Sequence, residues 1–158
     1  MQNHRRVFLS AFLAMLLVTT YARNEVWKAP LVLWEDVTNR QPQKARSYNY
    51  LGSAYKSAKL YEKALRQFRR ALLYDPELVE AHFNIADIYY QLHWVEQAIE
   101  QYKYTINLAP DYEKAHYNIG VIYLERGMKF DAYREFTATL NINPEHEGAK
   151  MFLRYLDG

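Results

Sequence analysis

The chain has 158 residues, 50% hydrophobic and 24% charged, enough for one domain with a core of its own. Twenty basic against 18 acidic residues leave a net charge of +2, without the basic excess typical of a nucleic-acid binder. The absence of Cys excludes disulfides, zinc–thiolate sites, iron–sulfur ligation, thiol catalysis and covalent haem attachment.

The first element is apolar. Arg5 and Arg6 precede Val7–Tyr21, which runs VFLSAFLAMLLVTTY without a charge, and Arg23 follows it. A basic start and a short apolar stretch have the form of a secretory signal, with Thr20 and Ala22 as the small residues of a cut after Ala22. The alternative is a retained anchor. Fifteen helical residues span roughly 22 Å, short of a ~30 Å hydrocarbon core, and snorkelling of Arg6 and Arg23 narrows the gap. Both readings leave the basic end in the cytoplasm and residues 23–158 on the exoplasmic or periplasmic side, anchored or exported.

Pro30–Arg40 reads PLVLWEDVTNR and predicts a helix with Pro30 in its first turn, stopped by Pro42. From there the chain repeats. Prolines fall at 42, 76, 110 and 144, always 34 residues apart. They divide the sequence into Ala45–Leu78, Val79–Tyr112 and Glu113–His146, below called units 1 to 3. Place 4 of each unit holds Tyr48, His82 and His116; place 7, Leu51, Ile85 and Ile119; place 8, Gly52, Ala86 and Gly120; place 11, Tyr55, Tyr89 and Tyr123. That i, i+3, i+4, i+7 spacing is one face of a first helix. Places 20, 24 and 27 form one face of a second: Ala64, Ala98 and Ala132; Phe68, Tyr102 and Phe136; Ala71, Thr105 and Thr139. Small residues at 8, 20 and 27 allow close approach, and large ones fill the space between units. One unit cannot bury its own apolar face, so the units stack. In unit 3 the aromatic Phe130 comes one place later than Tyr61 of unit 1. Glu147–Leu156, with Ala149, Phe152, Leu153 and Leu156 at helical spacing, predicts a capping helix within residues 147–158.

Residues 45–146 resemble the tetratricopeptide repeat (TPR), a 34-residue helix-turn-helix family. The resemblance implies an all-α, right-handed α-solenoid of three full units. Residues 23–44 precede it as a lone second helix, with Trp34 at place 24 and Val37 near place 27. A second likeness lies in the lead-in. Tyr21–Trp27, Leu33-Trp34-Glu35-Asp36, Pro42 and Arg46 are similar to the junction between the last membrane helix and the repeats in transmembrane O-mannosyltransferase-like proteins. This chain has one candidate span where that family's catalytic half has many, so no catalytic residue carries over.

The resemblance places function on the concave side, lined by the first helices of the units. The candidate partner-binding residues are Arg46, Tyr50 and Lys56 from unit 1, Phe83, Asn84, Asp87 and Tyr90 from unit 2, and Lys114, Tyr117 and Asn118 from unit 3. Asn49 is also expected to face solvent there. Aromatic anchors among polar groups suit an extended peptide or partner helix, although the same aromatics could close unit–unit contacts. Asn84 and Asn118 share place 6, and a primary amide can pair with both groups of a peptide bond. The alternative for them is an inter-repeat hydrogen bond. Place 5 holds Asn49, Phe83 and Tyr117 rather than Lys or Arg, against a clamp for a C-terminal carboxylate.

His82 and His116 are expected to pack rather than bind metal, because neighbouring units sit about 10 Å apart. His93 and His146 are expected at the surface. The sequence has no Gly-rich phosphate loop, no Ser nucleophile motif and no spaced metal ligands. It therefore predicts no enzyme, no cofactor and no small-molecule substrate. The leading expectation is a membrane-tethered or exported adaptor for a protein or peptide. The alternatives are the non-catalytic repeat part of a membrane glycosyltransferase assembly and a structural subunit of a larger membrane complex.

Overall fold

The computed structural model describes residues 30–157. The signal-or-anchor segment and the lead-in up to residue 29 lie outside the described residues. Helix α1 covers residues 30–40. It is followed by α2 (Ala45–Ser57), α3 (Tyr61–Tyr74), α4 (Val79–Gln91), α5 (Val95–Leu108), α6 (Glu113–Glu125), α7 (Lys129–Ile142) and α8 (Glu147–Asp157). There is no strand among the described residues, and none of these helices is long and apolar enough to cross a membrane. Each pair α2–α3, α4–α5 and α6–α7 is an antiparallel hairpin, and the hairpins stack in chain order.

Place 24 explains how the pairs close. Phe68, Tyr102 and Phe136 are fully buried, as are Ala64, Ala98 and Ala132 at place 20. A Cβ on Gly52 would lie 2.6 Å from the Phe68 ring, and one on Gly120 would lie 2.8 Å from Phe136. The ring of the second helix therefore presses against bare backbone of the first. The place-27 threonines are also fully buried. Their hydroxyls donate to the carbonyls four residues back, Thr105 to Gln101 and Thr139 to Glu135, each at 2.9 Å.

The turn inside each pair has one geometry. Lys59, His93 and Gly127 take positive φ of 58°, 61° and 72°. The next amide donates back to the helix: Leu60 to Tyr55 O at 2.9 Å, Trp94 to Tyr89 O at 2.8 Å, Met128 to Tyr123 O at 2.9 Å. This is a Schellman ending, and only unit 3 supplies the glycine that it favours. Between pairs, each proline sits in a reverse turn whose fourth amide bonds to its first carbonyl, as Leu78 does to Asp75 at 3.2 Å.

The place-4 residues secure those turns. Tyr48 OH donates to Pro42 O at 3.0 Å, and the Nε2 atoms of His82 and His116 lie 2.9 and 3.1 Å from Pro76 O and Pro110 O. The expectation of simple packing for these two histidines is therefore corrected. They are half-buried tethers between a turn and the helix that follows it. Nδ1 of His82 meets Gln101 Oε1 at 3.0 Å, and Nδ1 of His116 meets Glu135 Oε2 at 2.8 Å. Unit 1 carries Tyr48 in this place, and Gln67, the counterpart of Gln101, is left with a buried Oε1 that has no partner among the described residues.

At the C-terminal end, α8 lays Ala149, Phe152, Leu153 and Leu156 on the last pair. The Phe136 and Phe152 rings stack 5.0 Å apart. His146 Nδ1 accepts the Ala149 amide at 3.1 Å, capping α8, and its ring lies 4.5 Å from Tyr117. It is partly buried rather than at the surface, because the helix start and the tyrosine enclose it. Place 8, small in every preceding unit, holds Arg154 in α8. The displaced Phe130 is 82% exposed.

Candidate functional site: the groove across α2, α4 and α6

The first helices of the three units line a groove of about 490 Å³. Its walls carry Tyr50, Lys56, Phe83, Asn84, Asp87, Lys114, Tyr117 and Asn118, eight of the ten residues singled out from the sequence. Tyr90 lines an adjoining hollow of about 340 Å³ that shares Lys56, Asp87 and Asn118 with the groove. Arg46 is exposed at the start of α2 and lines neither.

Asp87 is the centre of the groove floor. Its Oδ2 accepts from Lys56 Nζ at 2.8 Å, and its Oδ1 accepts from Tyr102 OH at 2.6 Å and Asn118 Nδ2 at 3.2 Å. The three donors come from three different units. Asn118 Nδ2 also reaches Tyr102 OH at 3.0 Å. Lys56 Nζ donates to Asn84 Oδ1 at 2.6 Å, and Asn84 Nδ2 lies 3.4 Å from Asn49 Oδ1. The place-6 asparagines thus take the inter-repeat role, and Asn49 is buried at 8% exposure, against the expectation that it faces solvent. Its small remaining surface lines the groove beside Asn84.

The aromatic walls are held by packing. Tyr50 stacks on Trp34 at 4.5 Å, so α1 builds one end of the groove. Phe83 sits between Tyr102 and Tyr112, at 5.7 and 5.0 Å. Tyr117 packs against Phe136, His146 and Phe152. Phe83 and Tyr117 therefore do both jobs considered for them: they close contacts between units and offer a half-exposed ring edge.

Burial pushes the Tyr90 phenol up to about 12, helped by its 2.7 Å bond to Glu125 Oε1. Burial and then Asp87 raise Tyr102 further, and burial with Glu80 and Asp87 raises Tyr112. All three stay protonated near neutrality, and Tyr90 and Tyr102 donate to Glu125 and Asp87. Among the described residues, no three His, Asp or Glu side chains converge to hold a metal ion.

Sequence reasoning missed Tyr102, Tyr112 and Trp34. Tyr102 left a trace, since it stands where units 1 and 3 have Phe. A phenol at a buried place needs a partner.

Residues 52–93 and 95–127 match the family model described as TPR repeat. The matched residues, from within α2 to the end of α6, are tetratricopeptide repeats. Solved structures match most of the chain. MamA matches with a TM-score of 0.73 at 18% identity, covering 87% of this chain and 80% of that one. The first TPR of Spaghetti (RPAP3), bound to the HSP90 peptide SRMEEVD, matches with 0.67 at 22% identity, covering 73% and 91%. YrrB, a TPR protein with an unusual peptide-binding site, matches with 0.68 at 20% identity, covering 84% and 69%. At these identities the likeness is one of fold. No curated protein matches the chain. The TPR findings concern the repeat array and do not support the lead-in's likeness to O-mannosyltransferase-like proteins.

Proposed function

We propose that the chain is a TPR scaffold holding an extended segment of a protein partner across α2, α4 and α6. The reading rests on the polar valences left open in the groove. Lys56 uses two of its three ammonium N–H groups, on Asn84 and Asp87. Among the described residues, the Asn118 carbonyl oxygen has no donor. One spare donor and one spare acceptor on the same floor suit a peptide bond, which offers the complementary pair. Tyr50, Phe83 and Tyr117 then take side chains, and exposed Lys114 and Glu80 line the rim. RPAP3 and YrrB, proteins of the same fold, are described with a bound peptide and a peptide-binding site, which supports the same use here.

The partner-binding residues, the unit boundaries given above and the setting belong to this proposal. The uncharged Val7–Tyr21 run between Arg6 and Arg23 supplies a membrane tether or an export signal. The test is a peptide selected from a random display library on the full chain and titrated by fluorescence polarisation. Lys56→Met and Tyr50→Ala should each weaken it about tenfold or more, the cost of one charge-assisted hydrogen bond or one anchor. Circular dichroism should stay unchanged. Equal affinity for both variants and the natural chain would sink the groove reading.

A further inference from the structure

The outward face of α3 differs from those of α5 and α7. It carries Lys63, Arg66, Arg69 and Arg70, all exposed, with Glu62 as its one acid. The matching places of α5 are Gln97, Glu100, Lys103 and Tyr104, and those of α7 are Asp131, Arg134, Thr137 and Ala138. Arg126, Arg134 and Lys150 in the later units find carboxylates. Among the described residues, none of the four α3 cations forms an ion pair. Two are instead held against rings: the Arg70 guanidinium 5.4 Å from the Tyr48 centroid and Lys63 Nζ 5.6 Å from that of Tyr55. In the last turn of this face, beside Arg69 and Arg70, Leu73 is 80% exposed.

The face is one part of a wider asymmetry. Residues 1–78 hold 13 Lys and Arg against 6 Asp and Glu, a balance of +7, and residues 79–158 hold 7 against 12, a balance of −5. The cationic half is also the half that contains the uncharged Val7–Tyr21 run. Helix α1 joins the two, because Leu31 and Trp34 pack on the core that contains Leu65 and Phe68 of α3. Exposed Val32 and Leu33 on α1 add apolar surface at this end.

We propose that the outward face of α3 lies on an anionic phospholipid surface, setting the first repeat against the membrane and leaving the acidic later repeats away from it. Exposed cations followed by an exposed leucine on one helix face match a layer of phosphate headgroups over acyl chains. Each Lys or Arg near such a surface strengthens partition roughly fivefold. An acidic protein could satisfy the charge. It would not account for the exposed apolar Val32 and Leu33 of α1. The inference goes beyond the groove reading and does not depend on it, since none of Lys63, Arg66, Arg69, Arg70 and Leu73 lines the groove or the adjoining hollow.

The Cys-free chain makes the test direct. Full-length Leu73→Cys, and Asn107→Cys at the matching place of α5, are labelled with a polarity-sensitive dye. They are mixed with phosphatidylcholine vesicles, with or without phosphatidylglycerol. A blue shift is expected for Leu73→Cys only, in anionic vesicles only, and should vanish in about 0.5 M salt. Replacing all four cations with Gln should reduce anionic-vesicle binding by roughly several hundredfold. Arg66→Gln with Arg69→Gln should reduce it about twentyfold while leaving the cation–ring contacts in place. An equal shift in neutral vesicles, or at both labelled places, would overturn the proposal. So would an equal shift with soluble polyglutamate, which would assign the face to an acidic protein.

Discussion

At the scale of the residue, Tyr102 shows how one atom changes what a place in the repeat does. Phe68 and Phe136 fill the same place with hydrocarbon alone. In unit 2 the added hydroxyl emerges at the groove floor and donates to Asp87 while accepting from Asn118. Burying a phenol with an acceptor is favourable, but removing that donor leaves a carboxylate short of one charge-assisted bond. Tyr102→Phe keeps the ring and should cost about 1.5–3 kcal/mol, measured by chemical denaturation. A cost near zero would mean that water replaces the hydroxyl at Asp87. The repeat pattern made the ring legible as core. It did not reveal the network, because the donors to Asp87 lie 15 and 31 residues away in sequence and meet only once units stack.

At the scale of the element, the link between α6 and α7 carries a pH dependence. Both ring nitrogens of His116 face acceptors, the Glu135 carboxylate and the Pro110 carbonyl. The Glu135 hydrogen bond raises the His116 pKa above its ordinary 6.5, against a smaller opposing effect of burial. For Glu135, burial pushes the carboxyl up, but bonds from His116 and Arg134 together bring it below its ordinary 4.5. A raised histidine stabilises the fold below its unfolded pKa and loses that contribution as pH rises through the folded one. A lowered carboxylate contributes above its unfolded pKa and loses it on acidification. The pair therefore helps most between 4.5 and 6.5. Thermal midpoints should fall from about pH 5.5 to about pH 8, and Glu135→Gln, the arrangement that Gln101 gives unit 2, should flatten that slope. An unchanged slope would remove the pair from the account.

The turns belong to the same scale. A Schellman ending wants glycine, and Gly127 advertised one in unit 3. Lys59 and His93 hid the other two, since neighbouring contacts impose positive φ on residues that do not prefer it.

At the scale of the whole molecule, the array is one-dimensional, and each unit leans on its neighbours. The end helix α8 covers Phe136 and Tyr117 with Phe152. Phe152→Ala should cost about 2–4 kcal/mol, less than for a fully buried Phe because Phe152 is half-exposed. Hydrogen exchange should show the loss concentrated in α6 and α7, with α2 and α3 nearly unchanged. Even fraying along the whole chain would contradict nearest-neighbour stacking. The net charge of +2 illustrates what averaging hides at this scale: the whole-chain balance shows no basic excess, yet α3 carries four exposed cations without an ion pair among the described residues.

The sequence by itself determined the TPR fold. A 34-residue period in proline, in small residues and in aromatics is local information, because each place repeats the same contact with its neighbour. The tertiary structure alone decided the polar wiring: which asparagines are occupied, that Asn49 is buried, that Trp34 backs Tyr50, and that the histidines tie turns to helices. Those pairings join residues whose distance in space is set by stacking. A hydrogen bond depends on tenths of an ångström, which periodicity does not encode.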